Sequence, residues 1–135
     1  FPTRYLVNDA CVLFGKALVF GSIFRFQGQV SVFNYQGGPT YRCLYPELPP
    51  PEMAPYCADA GVLGVMPGVI GLLQAVEVIK LLLGVGNNLA GKMLRVDALH
   101  NEFSILDIDK AEGCLCSHHS DAIEIRPIEA FACAI

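Results

Sequence analysis

The chain is short of charge. Nine lysines and arginines stand against thirteen aspartates and glutamates in 135 residues, with no basic run and no interleaving of basic and aromatic side chains. That pattern, with a net charge of -4, argues against nucleic acid or an anionic membrane as the partner. A long hydrophobic run is also missing: the longest apolar stretch, 61–73, falls short of the about 20 residues a bilayer needs, and Gln74, Glu77 and Lys80 follow it at three-residue spacing. The expectation is a helix of a soluble domain. Regular cysteine spacing is absent as well. The six cysteines, Cys11, Cys43, Cys57, Cys114, Cys116 and Cys133, fit no disulfide framework, and a reducing cytoplasm is the expected compartment. The opening Phe1-Pro2-Thr3-Arg4 carries neither an initiator methionine nor a signal-like stretch, as expected of a piece of a larger protein. Finally, no glycine-rich loop feeds a helix. Gly86-Asn87-Asn88-Leu89-Ala90-Gly91-Lys92 has P-loop spacing, but Met93 stands where a hydroxyl should meet magnesium, and the local order is helix, loop, strand.

What is present is apolar: 53% hydrophobic residues with a mean hydropathy of +0.46, enough for one domain with a core. So high a share implies that part of the surface packs against a partner or the rest of a longer chain. Residues 3–14 read as a short helix, with Leu6, Val7, Ala10, Cys11, Leu13 and Phe14 on its apolar side, Arg4 and Asn8 opposite, and Gly15 as its stop. Cys11 is then a buried small hydrophobe. Residues 18–35 turn β-branched and aromatic and predict one strand plus a hairpin turning at Gln27-Gly28. A helix over 65–83 follows, with Pro67 in its first turn and residues 84–88 as its stop; its narrow polar stripe, Gln74, Glu77 and Lys80, predicts burial around most of its circumference. Gly61, Gly64, Gly68 and Gly71 recur at helical spacing, which favours close packing over a ligand near the helix start. Residues 92–97 and 102–108 predict a second hairpin with His100 solvated at its turn, and Ile123, Ile125 and Ile128 suggest another strand or the approach to a further domain.

Two groups could carry chemistry. Cys57 lies in a proline-rich, helix-incompatible stretch, where a thiol is displayed to other molecules; display alone does not make it a nucleophile. Cys114 and Cys116, with His118 or His119 beside them and Cys43 on a distant loop, offer soft donors for tetrahedral zinc. Against that stands the Cys-x-Cys spacing, tighter than structural sites use, so loose surface thiols are the competing reading.

Several segments occur together in a recognisable order: Thr3-Arg4-Tyr5-Leu6-Val7-Asn8-Asp9-Ala10-Cys11, Gly28-Gln29-Val30-Ser31-Val32-Phe33, Tyr41-Arg42-Cys43-Leu44, Cys57-Ala58-Asp59-Ala60-Gly61-Val62-Leu63-Gly64, and Gly68-Val69-Ile70-Gly71-Leu72-Leu73-Gln74-Ala75 with Glu77-Val78-Ile79-Lys80. Over residues 1–116 the chain resembles the C-terminal half of ThiF/MoeB-type adenylyltransferases, relatives of ubiquitin-activating enzymes. The resemblance implies an α/β fold, the distal half of a Rossmann-like domain, with the end of a parallel sheet and antiparallel hairpins packed on a long buried helix. Residues 117–135 are then a tail or linker, leading in longer members to a rhodanese-like domain. It further implies ATP-dependent adenylation of the C-terminal glycine of a ubiquitin-like sulfur carrier, as in molybdopterin or thiamine biosynthesis, and a homodimer. ATP and Mg2+ would be held mainly by the half preceding Phe1, so that these residues alone turn over no ATP. Cys57 matches a family cysteine that forms a thioester or acyl disulfide with the carrier. Arg4 matches an arginine near the activated carboxylate, a surface ion pair being the alternative. The family's zinc is held by two Cys-x-x-Cys pairs; here the first is Thr40-Tyr41-Arg42-Cys43 and the second Cys114-Leu115-Cys116. The altered set leaves two outcomes, a site of Cys43, Cys114 and Cys116 completed by a histidine, or a metal-free ribbon. The rival functions are a non-catalytic carrier-binding module and an activator of another ubiquitin-like protein.

Overall fold

The computed structural model describes residues 2–48, 61–112 and 114. Helix α1 (Pro2–Leu13) leads into β1 (Leu18–Phe24) and β2 (Gln27–Phe33), then a single helical turn α2 (Tyr41–Leu44), the long helix α3 (Met66–Leu83), and β3 (Lys92–Asp97) and β4 (Glu102–Asp107). The strands form one sheet in the order β1-β2-β3-β4, antiparallel at every pairing. An α/β architecture is therefore observed with two antiparallel hairpins, the second where the sequence placed it, whereas the expected end of a parallel sheet is not found among the described residues. Only two isolated bridges, Arg25 with Val62 and Val32 with Ala90, run parallel there.

Strand alternation splits the core into two layers. On one face Val30, Val32 and Val96 meet Met66 and Ile70 of α3 together with Leu89. On the other, Phe20, Phe33 and Met93 meet Tyr5 of α1, Tyr41 of α2 and Ile108. Burying each such side chain is worth about 1.5–3 kcal/mol relative to exposure.

The first hairpin corrects the sequence reading in two ways. Residues 18–33 hold two strands and not three, and the turn falls at Arg25-Phe26, where Arg25 takes a positive φ of 53°. Gly28 serves another purpose. A Cβ there would collide with Cδ1 and Cγ1 of Ile70, and one on Gly21 would collide with the Gln74 side chain. Close approach of helix to sheet thus depends on glycines of the strands. Gly64, Gly68 and Gly71, expected to provide it, do not: a Cβ added at any of them would meet nothing within 4 Å among the described residues.

Both main helices are turned over relative to their apparent amphipathicity. In α1 the buried residues are Tyr5 and Asn8, while Val7 and Leu13, and Phe14 just beyond the helix, are exposed. Cys11 is half-buried, and burial pushes its thiol pKa up. In α3 the polar stripe faces inward: Gln74 Nε2 donates to the Val19 carbonyl at 3.1 Å, and Glu77 Oε2 accepts the Leu89 N–H at 2.8 Å while pairing with Lys80. Burial around most of the circumference is not reached, because Leu72, Val76, Ile79, Leu82 and Leu83 are exposed. By length and composition alone the 18 residues of α3, with a hydropathy of 1.7, could cross a membrane; the contacts observed seat it on the sheet. Its ends follow the expected rules, with Pro67 in the first turn and Gly84 left-handed at the C-cap.

The second hairpin closes on Asp97, which takes the Gln27 amide at 3.0 Å and the His100 ring at 3.2 Å. His100 is thus exposed but paired. The Gln27 hydrogen bond first, then His100 and backbone N–H groups, lower the Asp97 pKa to about 2. A depressed carboxyl pKa stabilises the fold above the unfolded value and loses that contribution as pH falls through the folded one, here between about pH 4 and pH 2. NMR titration is expected to place Asp97 near 2 and, in Gln27→Leu, to move it upward toward the ordinary carboxylate range. Gly28→Ala is expected to destabilise the fold by about 1–3 kcal/mol through overpacking, with Gly28→Ala/Ile70→Ala recovering part of the loss in urea titrations.

Candidate functional site

Of the side chains that the sequence marks for chemistry, Arg4 lies in α1, Cys43 in α2 and Cys114 beside Thr40. Asn8, 1% exposed, works in two directions from one amide: its Oδ1 accepts the Tyr41 N–H at 2.9 Å, and its Nδ2 donates to Asp9 Oδ1 at 3.0 Å. Asp9 in turn grips Arg42 in a fork, Nε to Oδ1 and Nη2 to Oδ2, both at 2.7 Å. The Arg42 guanidinium also lies 4.9 Å above the centroid of the Tyr5 ring, and the Tyr5 hydroxyl donates to the Glu47 carbonyl at 2.6 Å. Burial pushes the Tyr5 pKa up, which keeps that hydroxyl a donor. This lattice fixes α2, and the chain that leaves it, against α1.

Arg4, expected beside an activated carboxylate, is half-buried at the start of α1 with its guanidinium 5.7 Å from the Phe20 ring centroid. A cation held over a ring that itself packs against Phe33 and Tyr41 has a restricted orientation. Cys57 and its proline-rich stretch lie outside the described residues, as do Cys116, His118 and His119.

Two of the three expected metal ligands do converge. Thr40, 1% exposed, is the hub: its Oγ1 lies 3.5 Å from Cys43 Sγ and 3.7 Å from Cys114 Sγ, and its N–H donates to Cys43 Sγ at 3.3 Å. Burial pushes the Cys43 thiol pKa up, yet the Thr40 N–H and hydroxyl, the Ala111 backbone and the Cys114 thiol outweigh it, leaving Cys43 below its ordinary value. Structural zinc is closed by thiolate, imidazole or carboxylate, and a neutral hydroxyl is none of these. Among the described residues the junction offers two sulfurs and that hydroxyl, with no cluster of three metal-binding side chains. These described donors close no zinc site by themselves; Cys116, His118 and His119, which would complete one, lie outside the described residues.

No phosphate cradle is seen among the described residues. The stretch from Gly84 to Lys92 runs from α3 into β3, and Lys92 pairs with Asp107 at 2.6 Å. The apparent P-loop is a turn with positive φ at Gly84, Gly86 and Gly91.

Residues 1–117 match the model of the ThiF family. The chain belongs to that family. It is 50% identical over 137 residues to the sulfur carrier protein adenylyltransferase of Thermus thermophilus, covering 97% of this chain and 51% of that one. It is 48% identical over 132 residues to the adenylyltransferase and sulfurtransferase MOCS3 of Xenopus laevis, covering 96% and 29%. The chain thus spans about half the length of the bacterial relative and under a third of the frog protein. Among solved structures, E. coli MccB with MccA-N7isoASN superposes with a TM-score of 0.68 at 13% identity, covering 86% of this chain and 37% of that one. A heterocyclase in complex with substrate and cofactor also gives 0.68, at 12% identity, covering 86% and 19%. At such low identity the likeness is one of fold.

Sequence reasoning missed the Asn8–Asp9–Arg42 lattice, since Asn8 was expected on the exposed side of α1. One signal pointed inward, because a mid-helix asparagine is a poor helix former and needs a reason to be there. Asp9→Asn leaves the half-buried Arg42 without its carboxylate and is expected to cost about 2 kcal/mol, read as a lower urea midpoint at unchanged slope.

Proposed function

We propose that this chain is the distal part of an ATP-dependent adenylyltransferase that activates the C-terminal glycine of a ubiquitin-like sulfur carrier. The observation that carries this reading is 48–50% identity to two adenylyltransferases over nearly the whole chain. In the reaction the carrier's carboxylate attacks the α-phosphorus of ATP, pyrophosphate leaves, and the acyl-adenylate becomes open to a sulfur nucleophile that displaces AMP. ATP and Mg2+ would be bound mainly by residues outside these 135, since the only P-loop-like spacing among the described residues is a helix-to-strand turn. Arg4 would act as a fixed cation beside the carboxylate, its orientation supported by Phe20. The Cys57 thiolate would attack the acyl carbonyl and displace AMP to hold the carrier as a thioester, or, already bearing a sulfane sulfur as a persulfide, would attack through that outer sulfur, again displacing AMP, to give an acyl disulfide. The carrier is the protein partner, a second copy forms a homodimer, and the compartment is the cytoplasm.

The test uses the full-length protein with a carrier ending in Gly-Gly. Carrier-dependent ATP–pyrophosphate exchange is expected with the wild type and absent with residues 1–135 alone. Arg4→Ala is expected to lower exchange by roughly 10–100-fold, whereas Cys57→Ala should retain exchange and lose the covalent carrier adduct seen by non-reducing gel. Full exchange in Arg4→Ala, or normal sulfur transfer in Cys57→Ala, removes the respective residue from the mechanism. Carrier binding with no exchange at all identifies a non-catalytic module, and exchange with a ubiquitin-like protein that carries no sulfur identifies the other rival.

A further inference from the structure

We propose that Cys43 and Cys114 form a reversible intrachain disulfide that locks α2 to the segment following β4. Both are free thiols and half-buried, so neither is sealed from small reagents. They converge on one buried hydroxyl, at 3.5 Å and 3.7 Å from Thr40 Oγ1. Each is also held in place. Cys43 sits in the turn of α2, its N–H on the Thr40 carbonyl at 3.0 Å and its sulfur on the Thr40 N–H. Cys114 is fixed by its N–H on the Ala111 carbonyl at 3.3 Å, and its segment is anchored where Ile108 N–H meets the Gly91 carbonyl at 2.8 Å. Cys11, the other described cysteine, belongs to α1 and shares no hydrogen bond with either.

A neutral hydroxyl between the two sulfurs, where the family pattern has a metal ligand, makes this chemistry available: the described donors alone close no metal site, and each sulfur is hydrogen-bonded to Thr40. The oxidant is a low-molecular-weight disulfide of the glutathione class. One thiolate attacks it and releases a small thiolate, giving a mixed disulfide; the second protein thiolate attacks the protein sulfur of that bond and releases the second small thiol. Two protein thiols are oxidised, one small disulfide is reduced to two thiols, and the two protons pass to the released sulfurs. Under a reducing poise the pair is open and hydrogen-bonded through Thr40. When oxidised glutathione accumulates it closes, cross-linking residues distant in sequence and restricting the unfolded chain. This goes beyond adenylation and does not depend on it.

The full-length protein is incubated with oxidised glutathione, alkylated, digested and mapped without reduction. A cross-linked peptide joining Cys43 to Cys114 is expected in most molecules, returning to two alkylated peptides after dithiothreitol. The thermal midpoint of the oxidised form should rise by roughly 5 °C. In Cys114→Ser, Cys43 should instead be recovered as a glutathione adduct, which requires only that this thiol be reachable. The proposal is overturned if wild-type Cys43 and Cys114 are recovered as separate adducts, joined to other cysteines such as Cys116, or both still free. It is equally overturned if the purified protein holds about one equivalent of zinc that protects both thiols from alkylation.

Discussion

Three polar side chains fix the helices by satisfying backbone groups of α2, β1 and the loop before β3. Asn8 takes the Tyr41 N–H, Gln74 gives its amide to the Val19 carbonyl, and Glu77 takes the Leu89 N–H. A buried unpaired backbone group costs about 1–3 kcal/mol, comparable to the gain from burying one aliphatic side chain. The helix face able to make these bonds therefore turns inward, even though the opposite face is the more apolar. Lys80 beside Glu77 offsets the cost of placing that carboxylate where it is 4% exposed.

Once the polar faces point inward, the rest of the surface is determined. Leu72, Val76, Ile79 and Leu82 of α3 look outward, and β4 presents Phe103 and Ile105 on the same side of the sheet as Leu94 and Val96, which they face across the strand pairing. The high apolar share noted in the sequence thus emerges as exposed area, not as a larger core. That arrangement accords with a chain spanning half or less of the relatives it matches.

The second hairpin and the end of α3 were legible because local rules govern them, whereas the strand count and turn of the first hairpin were not. Hydrophobic alternation, the turn around residues 98–101 and the Gly84 stop each express a preference of a few neighbouring residues. Helix orientation was not legible, because the deciding bonds join Asn8 to Tyr41 and Gln74 to Val19, partners that no local periodicity links. The glycines show the same division. Spacing in α3 suggested close packing there, but the clash geometry assigns it to Gly21 and Gly28, which only a placed helix could reveal. Thr40 falls between the two cases: a departure from the family pattern was visible in the sequence, while its hydroxyl's position between two sulfurs required the fold.

The same framework bears on the proposed chemistry at Cys57. On one side of residues 49–60, the described chain ends at Leu48, after Glu47, whose carbonyl is held by Tyr5, and α2 upstream is clamped by the Asp9–Arg42 fork. On the other side, the described chain runs from Gly61 through Val62 and Leu63, where the Leu63 N–H meets the Arg25 carbonyl at 3.0 Å. Both anchor points are thus tied to elements that also carry Arg4 or the sheet. Nucleophilic attack on an acyl-adenylate gains most when the sulfur and the electrophile share a frame whose ordering cost is already met in folding. In the proposed attack the Asn8–Asp9–Arg42 lattice would supply such a frame on the α1 side.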